Sequence, residues 1–426
     1  MTKKILTLYF ISALLGILTG IIASLFQLSI SWIDSSLQIV LVFLQQQGWP
    51  VTWYSAFISM LMVLVAWLLV FFLAPEASGS GVPEIEGALL HKRPIYWHRL
   101  IPVKFFAGVL ALSAKMVMGR EGPTIQMGGN IGKMLGDVLS VSSHRRDTLI
   151  AAGSAAGLAA AFNAPLAGVL FVMEEMRNQF NYSFLNFKMV IICCVTATIT
   201  MQYFLGSGPA ISMQIFPLPS LNSLGYFLLF GCLMGLTGLL FNKTLVFFLD
   251  FVGKLNPQKK LIYVLIVGGA VGYLAVAYPG TVGGGYEIIA QSLHLTYGVK
   301  ALLLLLISRF FFTFFSYSTG VPGGIFAPML ALGTLLGLAT FEVIHFFLPD
   351  LDIYPGMFAV AGMGALFAAS VRSPITGVIL VVEMTQNYSL ILPLMLTCIT
   401  STTVMQISKN APIYTQLLRR KLLKKQ

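Results

Sequence analysis

An all-α protein that crosses a membrane many times is what the sequence predicts, on three observations. Hydrophobic letters make up 57% of its 426 residues, charged letters make up 10%, and mean hydropathy is +0.86. An ordinary soluble domain carries roughly 25% charge, so this chain has too little polar surface for a soluble exterior. Its 40 glycines and 32 phenylalanines suit helices packed closely in lipid. Soluble enzymes, nucleic-acid-binding domains and disulfide-stapled secreted scaffolds are thereby excluded. The net charge of +11 does not point to nucleic acid, because the cations gather at the ends and in short loops. Lys3 and Lys4 precede the first apolar run, and Arg419, Arg420, Lys421, Lys424 and Lys425 follow the last. The positive-inside rule then predicts both termini in the cytoplasm and an even number of crossings. His144, Arg145 and Arg146, and the group Lys254, Lys259 and Lys260, mark further cytoplasmic loops.

Long apolar stretches run from Ile5 to Ile33, Val51 to Leu73, Phe184 to Leu205, Leu224 to Val252 and Leu261 to Tyr278, each near or above the roughly 20 residues a span needs. The first is longer than a signal-peptide core and lacks a small-residue cleavage pattern, so it reads as a membrane helix. Cys193, Cys194, Cys232 and Cys398 sit inside apolar runs, as small hydrophobes rather than a disulfide framework or a metal site. The Asn-x-Ser/Thr matches at Asn181, Asn242 and Asn387 read as chance. Between 79 and 183, and again between 279 and 405, the apolar stretches are shorter, broken at Gly79, Pro83, Pro123, Pro165, Pro322, Pro328, Pro355 and Pro374. Helices that stop at membrane depth leave backbone groups lipid cannot satisfy, so such breaks face a cavity. Discontinuous helices are also the mark of a transport site.

An internal repeat supports that organisation. Ala152 to Glu174 and Ala361 to Glu383 align at a constant offset of 209 with ten identities in 23 positions, among them Gly153/Gly362, Pro165/Pro374, Gly168/Gly377 and Glu174/Glu383. The chain is expected to fall into two homologous halves, 1–215 and 216–410, across a central site, followed by the segment 411–426. The alignment leaves open whether the repeats are inverted or parallel.

Three breaks hold the candidate residues. Gly79-Ser80-Gly81-Val82-Pro83 opens an apolar helix. There a hydroxyl joins the unpaired N–H groups and positive dipole end of a helix, which is an anion site or, more simply, a Ser cap. Gly119-Arg120-Glu121-Gly122-Pro123 opens another, and a carboxylate at such a head competes with an anion for the same donors until protonation releases it. The plainer reading is an Arg120–Glu121 pair at the membrane face. Gly323-Gly324-Ile325-Phe326-Ala327-Pro328 carries no charge and offers backbone N–H donors only, which suits a dehydrated anion that must bind and leave. Glu174 and Glu175 end an apolar helix beginning at Pro165. Adjacent residues point about 100° apart, so the two face different neighbours. Because Glu383 repeats Glu174, a structural role falls to Glu174 and a functional one to Glu175.

These motifs, in this order, resemble the GSGxP, GxEGP and GxFxP signatures of the CLC chloride channel/transporter family, and most of all its prokaryotic H+/Cl− exchange transporters. The resemblance covers essentially the whole chain. It implies an all-helical CLC-type fold of two inverted-topology repeats with many tilted or broken helices, and a homodimer with one pore per subunit. It further implies a proton-coupled chloride antiporter in a prokaryotic inner membrane, moving chloride and protons without a cofactor. The anion would be held by the hydroxyls of Ser80 and Tyr414 and by the N–H groups of Ile325 and Phe326. Glu121 would be gate and outer proton acceptor, and Glu175 the inner proton relay. Ser80 marks chloride preference, since nitrate-preferring members carry Pro there. Residues 411–426 would form a pore helix and basic tail, without CBS domains. A passive channel of the same fold is the alternative. A remote one is an intramembrane hydrolase pairing Ser80 with one of His91, His98, His144, His294 or His345, none of which forms an H-E-x-x-H pattern. Lys115 is an unexpected cation to which the sequence assigns no role.

Overall fold

A computed structural model describes residues 2–180, 182–294, 298–349 and 351–423. Asn181, Lys424 and Lys425 lie outside the described residues. Eight helices form a first series: α1 (Thr2–Gln46), α2 (Val51–Leu73), α3 (Val82–Leu89), α4 (Trp97–Ser113), α5 (Glu121–Val138), α6 (Ser143–Phe162), α7 (Pro165–Glu174) and α8 (Phe184–Leu205). A second series repeats it: α9 (Leu224–Gly253), α10 (Pro257–Ala277), α11 (Tyr286–His294), α12 (Val299–Ser318), α13 (Phe326–Phe347), α14 (Pro355–Val371), α15 (Pro374–Thr385) and α16 (Ile391–Ile407). The chain ends on α17 (Ile413–Leu423).

Helix starts follow local chemistry. Proline stands in the first turn of α3, α7, α10, α14 and α15, where its missing N–H has no partner to lose. α6 and α14 both end on a left-handed residue, Asn163 and Arg372. Among the described residues, eight helices are long and apolar enough to cross a membrane. Three of these, ending at Ser318, Phe347 and Ile407, fall where the sequence reads as short and broken. Pro328 explains one of the three. It lies in the first turn of α13 rather than inside it, so it begins a span instead of interrupting one. α1 also continues past Ile33 to Gln46. Asp34 does not stop it because Lys115 Nζ pairs with its carboxylate at 2.8 Å.

The repeats are inverted. α2 lies against its own counterpart α10, and the contacts run in opposite directions: Ser55 Oγ, near the start of α2, donates to Gly272 O, near the end of α10, at 2.7 Å. α7 and α15 pair the same way. Glu174 accepts from the backbone N–H groups of Ile375 (3.1 Å) and Thr376 (2.7 Å), while Glu383 accepts from those of Leu166 (3.1 Å) and Ala167 (2.8 Å). Equivalent helices packed antiparallel require a two-fold axis across them, hence in the membrane plane. Within each half, α5 crosses α6 and α13 crosses α14 at matching glycines. A Cβ on Gly153 would collide with the Gly128 carbonyl, and one on Gly362 with that of Gly333. The outward faces carry exposed Phe10, Trp32, Phe57, Leu229 and Ile266, the apolar surface that lipid covers. Asn242 and Asn387 are buried.

Candidate functional site

Short backbone bridges draw the three breaks into one cluster. Gly119 N donates to Gly324 O at 2.8 Å and Gly324 N to Gly119 O at 2.7 Å, docking the heads of α5 and α13. Gly79 N donates to Val321 O at 3.3 Å and Gly323 N to Gly79 O at 3.1 Å, which ties in the head of α3. Gly79 and Gly81 have φ of 71° and 88°, the left-handed region glycine adopts without a steric penalty. Gly122 lies against the Ser80 backbone, where a Cβ would come within 2.9 Å of it. Gly79, Ser80, Gly81, Val82 and Pro83 thus meet Gly119, Arg120, Glu121, Gly122 and Pro123, and both meet Gly324, Ile325, Phe326, Ala327 and Pro328.

Ser80 is fully buried. Its N–H donates to Tyr317 Oη at 3.3 Å, and its Oγ accepts from Val82 N at 3.2 Å. That bond uses a lone pair of the hydroxyl and leaves its hydrogen to donate. Tyr414, on α17, is also fully buried, and its hydroxyl has no hydrogen-bond partner among the described residues. Its ring stacks on Phe326 with centroids 5.9 Å apart, and Phe326 packs in turn on Phe162, Phe171 and Phe367. α17 is held by Lys421 bonded to Glu84 of α3 and by Arg420 Nε at 2.5 Å from Asp250 of α9. Because α13 starts at Phe326, the N–H groups of Ile325 and Phe326 lie outside its hydrogen-bond ladder. Two hydroxyls and a bare helix head make a cage of donors with apolar walls, a composition that accepts an anion and repels cations.

Glu121 is 0% exposed, so it is not half of a surface pair. Its Oε1 accepts from Tyr286 Oη at 2.5 Å. Its Oε2 lies over Gly119, where a Cβ would collide with it, and the carboxyl faces the backbone N–H groups of Glu121 and Ala327 at the two helix heads. Arg120 points instead at an aromatic face, its guanidinium 4.8 Å from the Tyr286 ring centroid. A cavity of about 380 Å³ lined by Arg120, Tyr286, Asp34, Lys115 and Arg309 opens beside the head of α5. Glu175 stands at the end of α7, where Ser373 Oγ donates to it at 3.2 Å. The buried carboxyl of Glu86 on α3 neighbours it.

Several residues escape the sequence reading. Lys104 on α4 is fully buried and donates to Ala77 O (2.9 Å) and Gly79 O (2.6 Å). Arg309 on α12, 1% exposed, donates to Gly280 O (2.7 Å), Val282 O (3.0 Å) and Gly283 O (2.7 Å). These cations occupy equivalent positions and brace equivalent glycine turns, Gly79-Ser80-Gly81 and Gly283-Gly284-Gly285. A cation deep in the apolar part of each of two helices, Lys104 beyond Arg99 and Arg309 beyond Lys300, was the available signal. Lys115, besides pairing with Asp34, accepts at its backbone carbonyl from Gly283 N at 2.9 Å.

Residues 61–406 match the family described as "Voltage gated chloride channel". The chain is 45% identical, over 99% of its length and 91% of the relative's, to the H(+)/Cl(-) exchange transporter ClcA of Vibrio cholerae. It is 44% identical to the Yersinia pseudotuberculosis protein of the same name, over 100% of this chain and 90% of that one. The crystal structure of a slow cyanobacterial Cl−/H+ antiporter superposes with a TM-score of 0.94 at 36% identity, covering 98% of each chain. With a family match over most of its length and relatives this similar, the chain belongs to the CLC family of chloride channels and transporters.

Proposed function

We propose that the protein exchanges chloride for protons across a membrane. The observation that carries the proposal is the fully buried Glu121 carboxylate, set at the meeting point of two helix heads whose N–H groups favour an anion. Chloride binds among the hydroxyls of Ser80 and Tyr414 and the N–H groups of Ile325 and Phe326. When ionised, Glu121 competes for those donors and closes the path. When protonated it is a weaker competitor, withdraws and lets the anion pass, so one group couples the two ions. Glu175 passes protons between the interior and the inner solution, and its contact with Ser373 and Glu86 supports that relay. Relatives named as exchangers at 45% identity support the same reading.

The working unit is proposed to be a homodimer with one pore per subunit, in a prokaryotic inner membrane with both termini cytoplasmic. The purified protein in liposomes, given a chloride gradient and no proton gradient, should acidify or alkalinise the lumen against the proton equilibrium. Chloride movement with no proton movement would assign it to the passive channels of the same fold.

A further inference from the structure

The bond from Tyr286 Oη to Glu121 Oε1 joins the second half of the molecule to the carboxylate of the first. Tyr286 opens α11 directly after Gly283-Gly284-Gly285, at the place where the first half has Val82 after Gly79-Ser80-Gly81. The turn that carries it is braced from two sides. Arg309 holds its carbonyls, Gly283 N bonds to Lys115 O, and Lys115 is itself paired with Asp34. Arg120 covers one part of the phenol ring and Phe162 approaches another at 6.4 Å. A hydroxyl on so fixed a frame cannot follow Glu121 when the carboxylate swings. Its bond therefore exists in one position of Glu121 and is lost in the others, and a bond made in one state alone shifts the equilibrium toward that state.

We propose that Tyr286 is a latch, a positioning residue that holds the Glu121 carboxylate in the anion's place and so limits how often chloride displaces it. The proposal rests on the reading of Glu121 as the gate. Tyr286→Phe keeps the ring, its contact with Phe162 and the Arg120 guanidinium above it, and deletes only the donor. The hydroxyl competes with chloride only through Glu121, so its effect must vanish when Glu121 is gone.

The test compares the full-length wild type, Tyr286→Phe, Glu121→Ala and the double variant. Chloride affinity is read by calorimetry on purified protein at alkaline pH, and turnover and the chloride-to-proton ratio in liposomes. Tyr286→Phe is expected to tighten chloride binding about tenfold, equivalent to about 1.4 kcal/mol, the scale of one hydrogen bond to a charged group. Turnover should rise with the coupling ratio unchanged, and the same substitution should alter nothing in the Glu121→Ala background. Chloride affinity that is unchanged or weaker in Tyr286→Phe, or tightened equally with and without Glu121, overturns the latch. The gate reading fails on a separate arm, if Glu121→Ala alone still moves protons under a chloride gradient.

Discussion

The two halves of the molecule share a scaffold and differ in chemistry. At equivalent positions both keep the glycine crossings Gly128/Gly153 and Gly333/Gly362, the buried braces Lys104 and Arg309, and the reciprocal caps Glu174 and Glu383. Where they part, Glu121 faces Phe326 across the docked helix heads, Ser80 corresponds to Gly284, Val82 to Tyr286 and Glu175 to Met384. Groups that appear twice hold the backbone, and groups that appear once include every hydroxyl and carboxylate of the proposed transport site. A pore lined identically from both sides of its axis would present the same field to both solutions. On the proposed reading, the single-copy Glu121 and Glu175 are the two different carboxylates that directional coupling requires.

The largest expected effect comes from neutralising the unmatched carboxylate at the helix heads. Glu121→Gln leaves a side chain that never titrates, so proton transport should fall to background while chloride still passes, read as parallel chloride and pH recordings in liposomes. Glu175→Gln should give the same split, because the residue is not among the proposed anion donors and only its proton transfer is removed. Its neighbour supplies the control. Glu174 uses both carboxylate oxygens, Oε1 for Ile375 N and Oε2 for Thr376 N, and Glu174→Gln keeps one acceptor and leaves one N–H unpaired, so coupling should persist, with a loss of stability of about 1 to 3 kcal/mol. If Glu174→Gln uncouples the protein as fully as Glu175→Gln, the division into paired scaffold and single-copy chemistry is wrong.

A second test addresses the scaffold itself. Arg309→Met would leave three carbonyls of the Gly283 turn without their donor, and Lys104→Met two of the Gly79 turn. At about 1 to 3 kcal/mol per buried group left unpaired, offset by the charge no longer buried, the net loss should be about 3 kcal/mol for Arg309 and less for Lys104. Thermal unfolding in detergent measures both. Similar midpoints for both variants and wild type would mean that the turns hold their shape without the cations.

Much of this was readable in the letters, and the limits have a specific cause. The glycine and proline breaks announced the docked helix heads because only particular residues permit a sharp turn and a helix start. The Glu174/Glu383 identity announced the caps because both halves need them. The offset of 209 does not extend upstream, however. α13 has 22 residues where α5 has 18, so before these helices the halves match at 204 to 205. That shift hid the equivalence of Lys104 with Arg309 and of the Gly79 turn with the Gly283 turn. Without that equivalence, Tyr286 is an ordinary tyrosine in a loop. Antiparallel pairing of α2 with α10 was hidden for another reason: small residues such as Ser55 and Gly272 record a close approach but not its direction.

The smallest effect is expected at Ser80, where the first half has a hydroxyl and the second has Gly284. One directed O–H donor repays part of the dehydration of a compact, strongly hydrated chloride, and matters less to the larger, more weakly hydrated nitrate. Ser80→Pro removes the hydroxyl together with the N–H that bonds to Tyr317 Oη, whereas Ser80→Ala removes the hydroxyl alone. A neutral hydrogen bond contributes about 0.5 to 1.5 kcal/mol net, so Ser80→Pro should raise the nitrate-to-chloride affinity ratio roughly two- to twelvefold. If the hydroxyl is responsible, Ser80→Ala should deliver most of that change while keeping the Tyr317 contact. Calorimetric competition between the two anions on each purified variant decides the matter. A ratio that moves in Ser80→Pro but not in Ser80→Ala would transfer selectivity from the hydroxyl to the backbone turn, and with it to Lys104, which holds that turn in the first half as Arg309 does in the second.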